Sequence, residues 1–153
     1  MISKDVIQLI TGMLGSLGFA LLFGLKKRYL VSAALGGLLS WGLYLVGLKI
    51  FDKDIFLACL LASAFSALYS EIVARIQKAP TTLFFITSVV PLIPGSTLYY
   101  TFSNVVVKDW EKAKHYGTLT LEYALAIAAG ACIIWAITLT IENFKKTRNT
   151  IKK

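Results

Sequence analysis

The chain has 153 residues, of which 57% are hydrophobic and 16% charged, and its mean hydropathy is +0.71. Soluble domains are usually about 45–50% apolar, so this composition excludes an ordinary water-soluble domain. The net charge of +8 is compatible with nucleic-acid binding, but the basic residues cluster at the ends of apolar segments instead of covering one solvated face. No nucleic-acid partner is therefore expected.

Five apolar segments predict an all-α integral membrane protein with one transmembrane domain over residues 1–153. Each segment is close to the roughly 20 helical residues that cross a bilayer. In chain order, the predicted spans are 6–25, 29–48, 55–74, 81–107 and 118–141, followed by a basic tail at 142–153. The first segment is long and weakly charged at its start, so we expect it to stay in the protein.

Small side chains recur at every fourth residue in three of these spans, which places them along one stripe of each helix. Such stripes allow helix backbones to approach closely in a membrane. They comprise Gly12, Ser16, Ala20 and Gly24 in the first span, Ala58, Ala62, Ser66 and Ser70 in the third, and Ala124, Ala128, Cys132, Ala136 and Thr140 in the fifth.

The fourth span contains two prolines and a glycine at its centre, in the run Pro91, Leu92, Ile93, Pro94, Gly95. Proline removes a backbone donor and its ring clashes with the preceding turn of a helix. We therefore expect two half-helices joined at this run.

The distribution of lysine and arginine predicts the topology, because basic loops tend to remain cytoplasmic. If the fourth span crosses once, ten of the 16 basic residues lie on one side and six on the other. If it re-enters and returns, the split is eight to eight. The first arrangement is favoured, with the N-terminus outside and the C-terminus in the cytoplasm.

The break in the fourth span is the main candidate for a binding site. Freed N–H groups and the helix dipole make the start of a second half-helix attractive to an anion, and transporters use such discontinuous helices to bind a substrate carboxylate. The candidate residues are Pro91, Pro94, Gly95, Ser96, Thr97, Tyr99 and Tyr100. The alternative is a proline kink that only shapes helix packing.

Glu71 and Arg75 are the only charged residues of the third span and lie one helical turn apart. Two interpretations stay open: an anchoring pair near the membrane surface, or a gating or proton-linked pair. Cys59 and Cys132 lie in apolar stretches without metal-ligand spacing, and His115 lies in a predicted loop. No metal site, cofactor or catalytic residue is expected, so the sequence favours a protein that is not an enzyme.

The segment from Glu71 to Thr101, EIVARIQKAPTTLFFITSVVPLIPGSTLYYT, resembles the threonine/serine exporter family. The specific part is PLIPG with a following tyrosine. The Ala74-Arg75 and Ala79-Pro80 pairs also match the family pattern. The likeness is to the C-terminal half of the exporter, which also occurs as a separate small subunit.

The resemblance implies export of threonine and serine, or of a dicarboxylate such as succinate, driven by the proton gradient across the plasma membrane. It also implies a larger five-span partner subunit of the same family. It matches Pro91, Pro94, Gly95 and Ser96 to the family's proline-glycine break, and Glu71 and Arg75 to its polar pair. A homo-oligomer stays open, as does a non-transporting scaffold or accessory subunit.

Overall fold

The computed structural model describes residues 2–151, with side chains described for residues 4–144. The chain forms six α-helices: α1 Ile2–Leu22, α2 Lys27–Ile50, α3 Ile55–Gln77, α4 Thr81–Val89, α5 Gly95–Val106 and α6 Trp110–Ile151. One turn of 3-10 helix, Val90–Leu92, follows α4, and residues 2–151 contain no strand. The predicted all-α architecture is confirmed.

Short turns join the helices, and each has a local chemical cause. Gly24 has φ +67°, which lets the chain reverse between α1 and α2. The carboxylate of Asp54 accepts the Leu57 N–H at 2.9 Å and caps α3. Asp109 caps α6 in the same way through the Lys112 N–H, and the hydrogen bond from the Lys112 ammonium lowers the pKa of that carboxyl.

The contacts between α3 and α6 show that these two helices run in the same direction. Three contacts join them in increasing order along both: Cys59 with Tyr123, Ser63 with Ile127, and Arg75 with Glu142. The segment between them must therefore carry the chain from the end of α3 back to the level at which α3 begins. It crosses the bundle once.

That returning segment is the pair formed by α4 and α5, bent by 57° at residues 93–94. α4 runs parallel to α2, since Tyr29 meets Phe84 edge to face and Gly36 faces Ser88. Four single helices are long and apolar enough to cross a membrane, and the bent pair supplies a fifth crossing. The prediction of about five spans with a broken fourth is confirmed.

Adjacent glycines in α2 let two helices approach it closely. A Cβ on Gly36 would collide with Ser88 Oγ of α4, and a Cβ on Gly37 would collide with Ser16 Oγ of α1. The two serine side chains are completely buried. These glycines therefore bring α1 and α4 against two adjacent faces of α2, about 100° apart around the helix.

The small-residue stripe of the third span faces the bundle, as predicted, and all four of its members are fully buried. In the first span Ser16 and Ala20 are fully buried, whereas Gly24 lies beyond the end of α1 and is exposed. The α6 stripe of Ala124, Ala128, Cys132, Ala136 and Thr140 is exposed instead. α6 uses a different face, on which Gly130 lies against the backbone of Leu60 and Ala64. Small residues occur on both faces of α6, so spacing alone selected the wrong one.

α6 is much longer than the predicted span 118–141. Its 42 residues extend about 63 Å at ~1.5 Å per residue, whereas a bilayer core is about 30 Å thick. Residues 110–117, predicted as a loop that includes His115, form the first two turns of this helix. The predicted tail continues the helix as far as Ile151, and residues 152–153 lie outside the described part.

We expect Gly130→Ala to destabilise the protein by about 1–3 kcal/mol, because the added methyl group would lie 2.5 Å from the Leu60 carbonyl oxygen. Backbone atoms cannot rotate out of the way as a side chain can. Thermal unfolding in detergent micelles measures the effect. Gly15→Ala is the matched control, since no heavy atom lies within 4 Å of its new methyl group, and equal stability of the two variants would contradict the assigned packing.

Candidate functional site at the broken helix

The break is a defined turn of the chain. The Val90–Leu92 turn ends at Ile93, whose backbone is extended, and the Gly95 N–H donates to the Ile93 carbonyl at 2.8 Å. The Leu98 N–H then donates to the Pro94 carbonyl at 3.0 Å and begins the regular helix. The first turn of α5 leaves the N–H groups of Ser96 and Thr97 without an acceptor in the helix.

Two free N–H groups at the start of a 12-residue helix form a place where an anion is favoured. Gly95 and Ser96 are exposed, and nothing lies within 4 Å of the position that a Gly95 Cβ would occupy. This end of α5 therefore opens outward from the chain, where a ligand or another protein can reach it.

α5 packs mainly on α6. The Thr97 hydroxyl accepts a hydrogen bond from Thr120 Oγ1 at 2.9 Å, Thr101 lies against Gly117, and Tyr100 packs on Tyr116. No residue of α5 is buried. Its outward face is therefore available for another surface.

The predicted site residues fall into two groups. Gly95, Ser96, Thr97 and Tyr99 lie together at the start of α5, and Tyr99 is 67% exposed. Tyr100 is turned toward α6. Pro91 lies instead against α1 and α2, and its Cβ is 3.7 Å from the position that a Gly12 Cβ would occupy. The break thus has an open side and a side that faces the bundle.

Among the described residues, no group of three histidine, cysteine or acidic side chains could hold a metal ion. Comparison with known families gives a match to the model described as Threonine/Serine exporter, ThrE, over residues 8–137. The chain belongs to this family. No curated protein and no solved structure matches it. It is accordingly a multi-pass membrane protein of a transporter family.

The chain also forms an ion-pair cluster at the far end of α3. Arg75 lies 3.5 Å from the Glu71 carboxylate, as the spacing predicts, and it hydrogen-bonds to Glu142 of α6. A cavity of about 470 Å³ lies beside the cluster, and Lys78 contributes to its lining. Glu142 was not foreseen from the sequence, because its contact with Arg75 depends on the parallel packing of α3 and α6.

This ion-pair cluster joins two helices through groups that are about half exposed, with Arg75 at 56% and Glu142 at 50%. Solvent weakens such pairs, and each contributes little to stability. The cluster is therefore suited to holding the ends of α3 and α6 together reversibly. Both interpretations of the pair, anchoring and gating, remain compatible with this position.

Double-mutant cycles should give a larger coupling free energy between Arg75 and Glu142 than between Arg75 and Glu71. The first pair is hydrogen-bonded, whereas the second is only a 3.5 Å contact within one helix. The thermal stabilities of the single and double alanine variants give both coupling free energies. Both should become smaller as salt is added, because salt screens exposed charges. A stronger coupling to Glu71 would contradict this ranking.

Proposed function

We propose that this chain is a subunit of a secondary transporter that exports small carboxylates. The substrates are threonine and serine, or a dicarboxylate such as succinate, and transport is coupled to the proton gradient. The family membership supports a transport function. Two features support a carboxylate substrate: the break in the fourth span, and the N–H groups in the first turn of α5 that have no acceptor within the helix.

The observation that carries the proposal is the open first turn of α5. The N–H groups of Ser96 and Thr97 lie beside an exposed glycine, in the middle of a segment that crosses the bundle. A carboxylate at this point accepts hydrogen bonds from the N–H groups that have no acceptor within the helix. The helix dipole also favours its negative charge. Its binding requires electrostatic capture and no bond chemistry, which is consistent with a protein that is not an enzyme.

A carboxylate on an open surface needs a second wall before it can be separated from water and lipid. We propose that a larger five-span subunit of the same family supplies that wall, and that the two subunits alternate access by rocking against each other. The unburied α5 supports this assignment. A second copy of this chain is the alternative occupant, and chemical crosslinking followed by mass measurement distinguishes the two.

We place the assembly in the plasma membrane, with the N-terminus outside and the C-terminus cytoplasmic. The ten-to-six division of basic residues supports this orientation. A reporter active only in the cytoplasm should be active after Lys78 or after the C-terminus, and inactive after Lys53. The opposite pattern would reverse the orientation without changing the number of crossings.

Gly95→Leu should abolish export while leaving the chain folded and assembled. No heavy atom lies within 4 Å of the Cβ that the substitution adds, so the new side chain starts in open space, and it covers the first turn of α5. Efflux of radiolabelled threonine, serine and succinate from cells that express the chain with its partner measures the effect. A protonophore should abolish wild-type efflux if the proton gradient drives it.

Gly18→Leu is the matched control, since Gly18 also has no neighbour within 4 Å of an added Cβ and lies in α1, away from the break. Export that survives Gly95→Leu would favour the scaffold or accessory role, in which the substrate contacts belong to the partner. Export lost in both variants would point to general damage. Co-purification with the partner separates loss of assembly from loss of binding.

A further inference from the structure

The break by itself gives the first turn of α5 little support. Pro91 and Pro94 have no backbone N–H to donate there, and no residue of α5 is buried. The N–H groups of Ser96 and Thr97 must nevertheless keep a fixed direction if they are to bind a carboxylate, because a hydrogen bond weakens steeply as its angle departs from linear. Contacts from outside α5 therefore have to orient this turn.

The contact between α5 and α6 that lies nearest the break is a hydrogen bond between two threonine side chains. Thr120 Oγ1 of α6 donates to Thr97 Oγ1 at 2.9 Å. Farther from the break, the ring of Tyr100 packs on the ring of Tyr116, with 5.2 Å between their centroids. A ring contact tolerates several relative orientations, whereas a hydrogen bond restricts direction as well as distance. Thr120 is therefore well placed to orient the first turn.

Thr97 extends this hydrogen bond to the break itself. Since Thr97 accepts from Thr120, its own hydroxyl proton is free to be donated, and the Pro94 carbonyl accepts it at 3.1 Å. The same carbonyl accepts the Leu98 N–H at 3.0 Å, the bond that begins the regular helix. Thr97 also carries one of the two N–H groups of the proposed carboxylate site. It therefore belongs both to this chain of hydrogen bonds and to the site.

Thr120 lies in a part of α6 that the bundle holds in place. The Tyr123 hydroxyl, about one turn farther along α6, is 2.5 Å from the Tyr44 hydroxyl of α2. The Cys59 thiol of α3 donates to the Tyr123 carbonyl at 3.9 Å. The Thr120 hydroxyl also lies 2.8 Å from the Tyr116 carbonyl of its own helix, which restricts its rotamer. The Thr120 oxygen is therefore fixed relative to α2 and α3, and the first turn of α5 is oriented against it.

We propose that Thr120 is a positioning residue for the carboxylate site. It acts through Thr97: its hydroxyl orients the Thr97 side chain and, with it, the N–H groups in the first turn of α5. Without this hydrogen bond the turn samples other orientations, and a smaller fraction of the molecules has the site formed. The apparent affinity for the substrate falls in proportion to that fraction.

The inference rests on the proposed function, since it assigns a supporting residue to the same carboxylate site. It adds a residue of α6 to a site whose predicted residues all belong to the fourth span. Loss of the Thr120 hydroxyl should change KM more than kcat, because a bound substrate itself restores the orientation of the turn. A residue with a merely structural role would lower assembly or stability without this separation of KM from kcat.

The test is the transport kinetics of Thr120→Val in the assembled transporter. Valine has nearly the shape of threonine but no hydroxyl, so KM for the transported substrate among threonine, serine and succinate should rise roughly three- to tenfold, the loss expected for one hydrogen bond. The kcat should stay within about twofold of wild type. Thr120→Ser keeps the hydroxyl and should keep the wild-type KM.

Thr118→Val is the matched control, because it makes the same change on the same helix. The Thr118 hydroxyl donates to the Lys114 carbonyl within α6 at 3.0 Å, and the side chain is exposed, so its KM should not change. Co-purification with the partner shows whether each variant assembles. Thr120→Ala, which also lacks the hydroxyl and is smaller, replaces Thr120→Val in every comparison if the valine prevents assembly.

A double variant tests whether Thr120 acts through Thr97. Thr97→Val removes the acceptor, so adding Thr120→Val to it should raise KM no further. An unchanged KM in Thr120→Val, an equal rise in Thr118→Val, or additive effects in the double variant overturn the positioning role. If Gly95→Leu still abolishes export in the same assay, the proposed function stands. Export that survives Gly95→Leu, or no export of any of the three substrates by the wild-type assembly, overturns both.

Discussion

The close approach of α1 and α4 to α2 is the constraint on which the rest of the structure depends. Gly36 and Gly37 leave no room for a side chain on either, so Ser88 and Ser16 lie directly against the α2 backbone. In lipid, helices gain little from burying apolar surface against each other, and close packing of small residues stabilises their association. The short helix α4 is thereby fixed in the bundle, and its last turn brings the prolines to mid-depth.

The two halves of the fourth span have different environments as a consequence. α4 buries Phe84, Thr87, Ser88 and Val89, whereas no residue of α5 is buried and α5 packs mainly on the first turns of α6. The break is therefore the boundary between a half-helix packed among several helices and one packed mainly on a single neighbour.

Buried polar groups also join the helices of the bundle. Ser40 and Ser66 join at 2.5 Å in the core of α2 and α3, and Tyr44 and Tyr123 join α2 to α6 at the same distance. These hydroxyls satisfy one another and stabilise the scaffold. Among the described residues, four buried side-chain atoms have no hydrogen-bond partner: Ser16 Oγ, Trp41 Nε1, Gln77 Oε1 and Ser88 Oγ. The two serine hydroxyls lie directly against the α2 glycines, where the helices pack most closely.

The amino-acid sequence by itself determined the membrane class, the number of crossings, the position of the break and the packing faces of α1 and α3. These features depend on local chemistry: apolar length, ring clashes of Pro91 and Pro94, and small residues at a four-residue spacing. Only the tertiary structure decided which face of α6 is buried, that residues 110–117 are helical, that Glu142 reaches Arg75, and that Thr120 meets Thr97. Each of these results depends on the relative direction and rotation of helices that are distant in sequence, and side-chain spacing within one helix carries no information about that geometry.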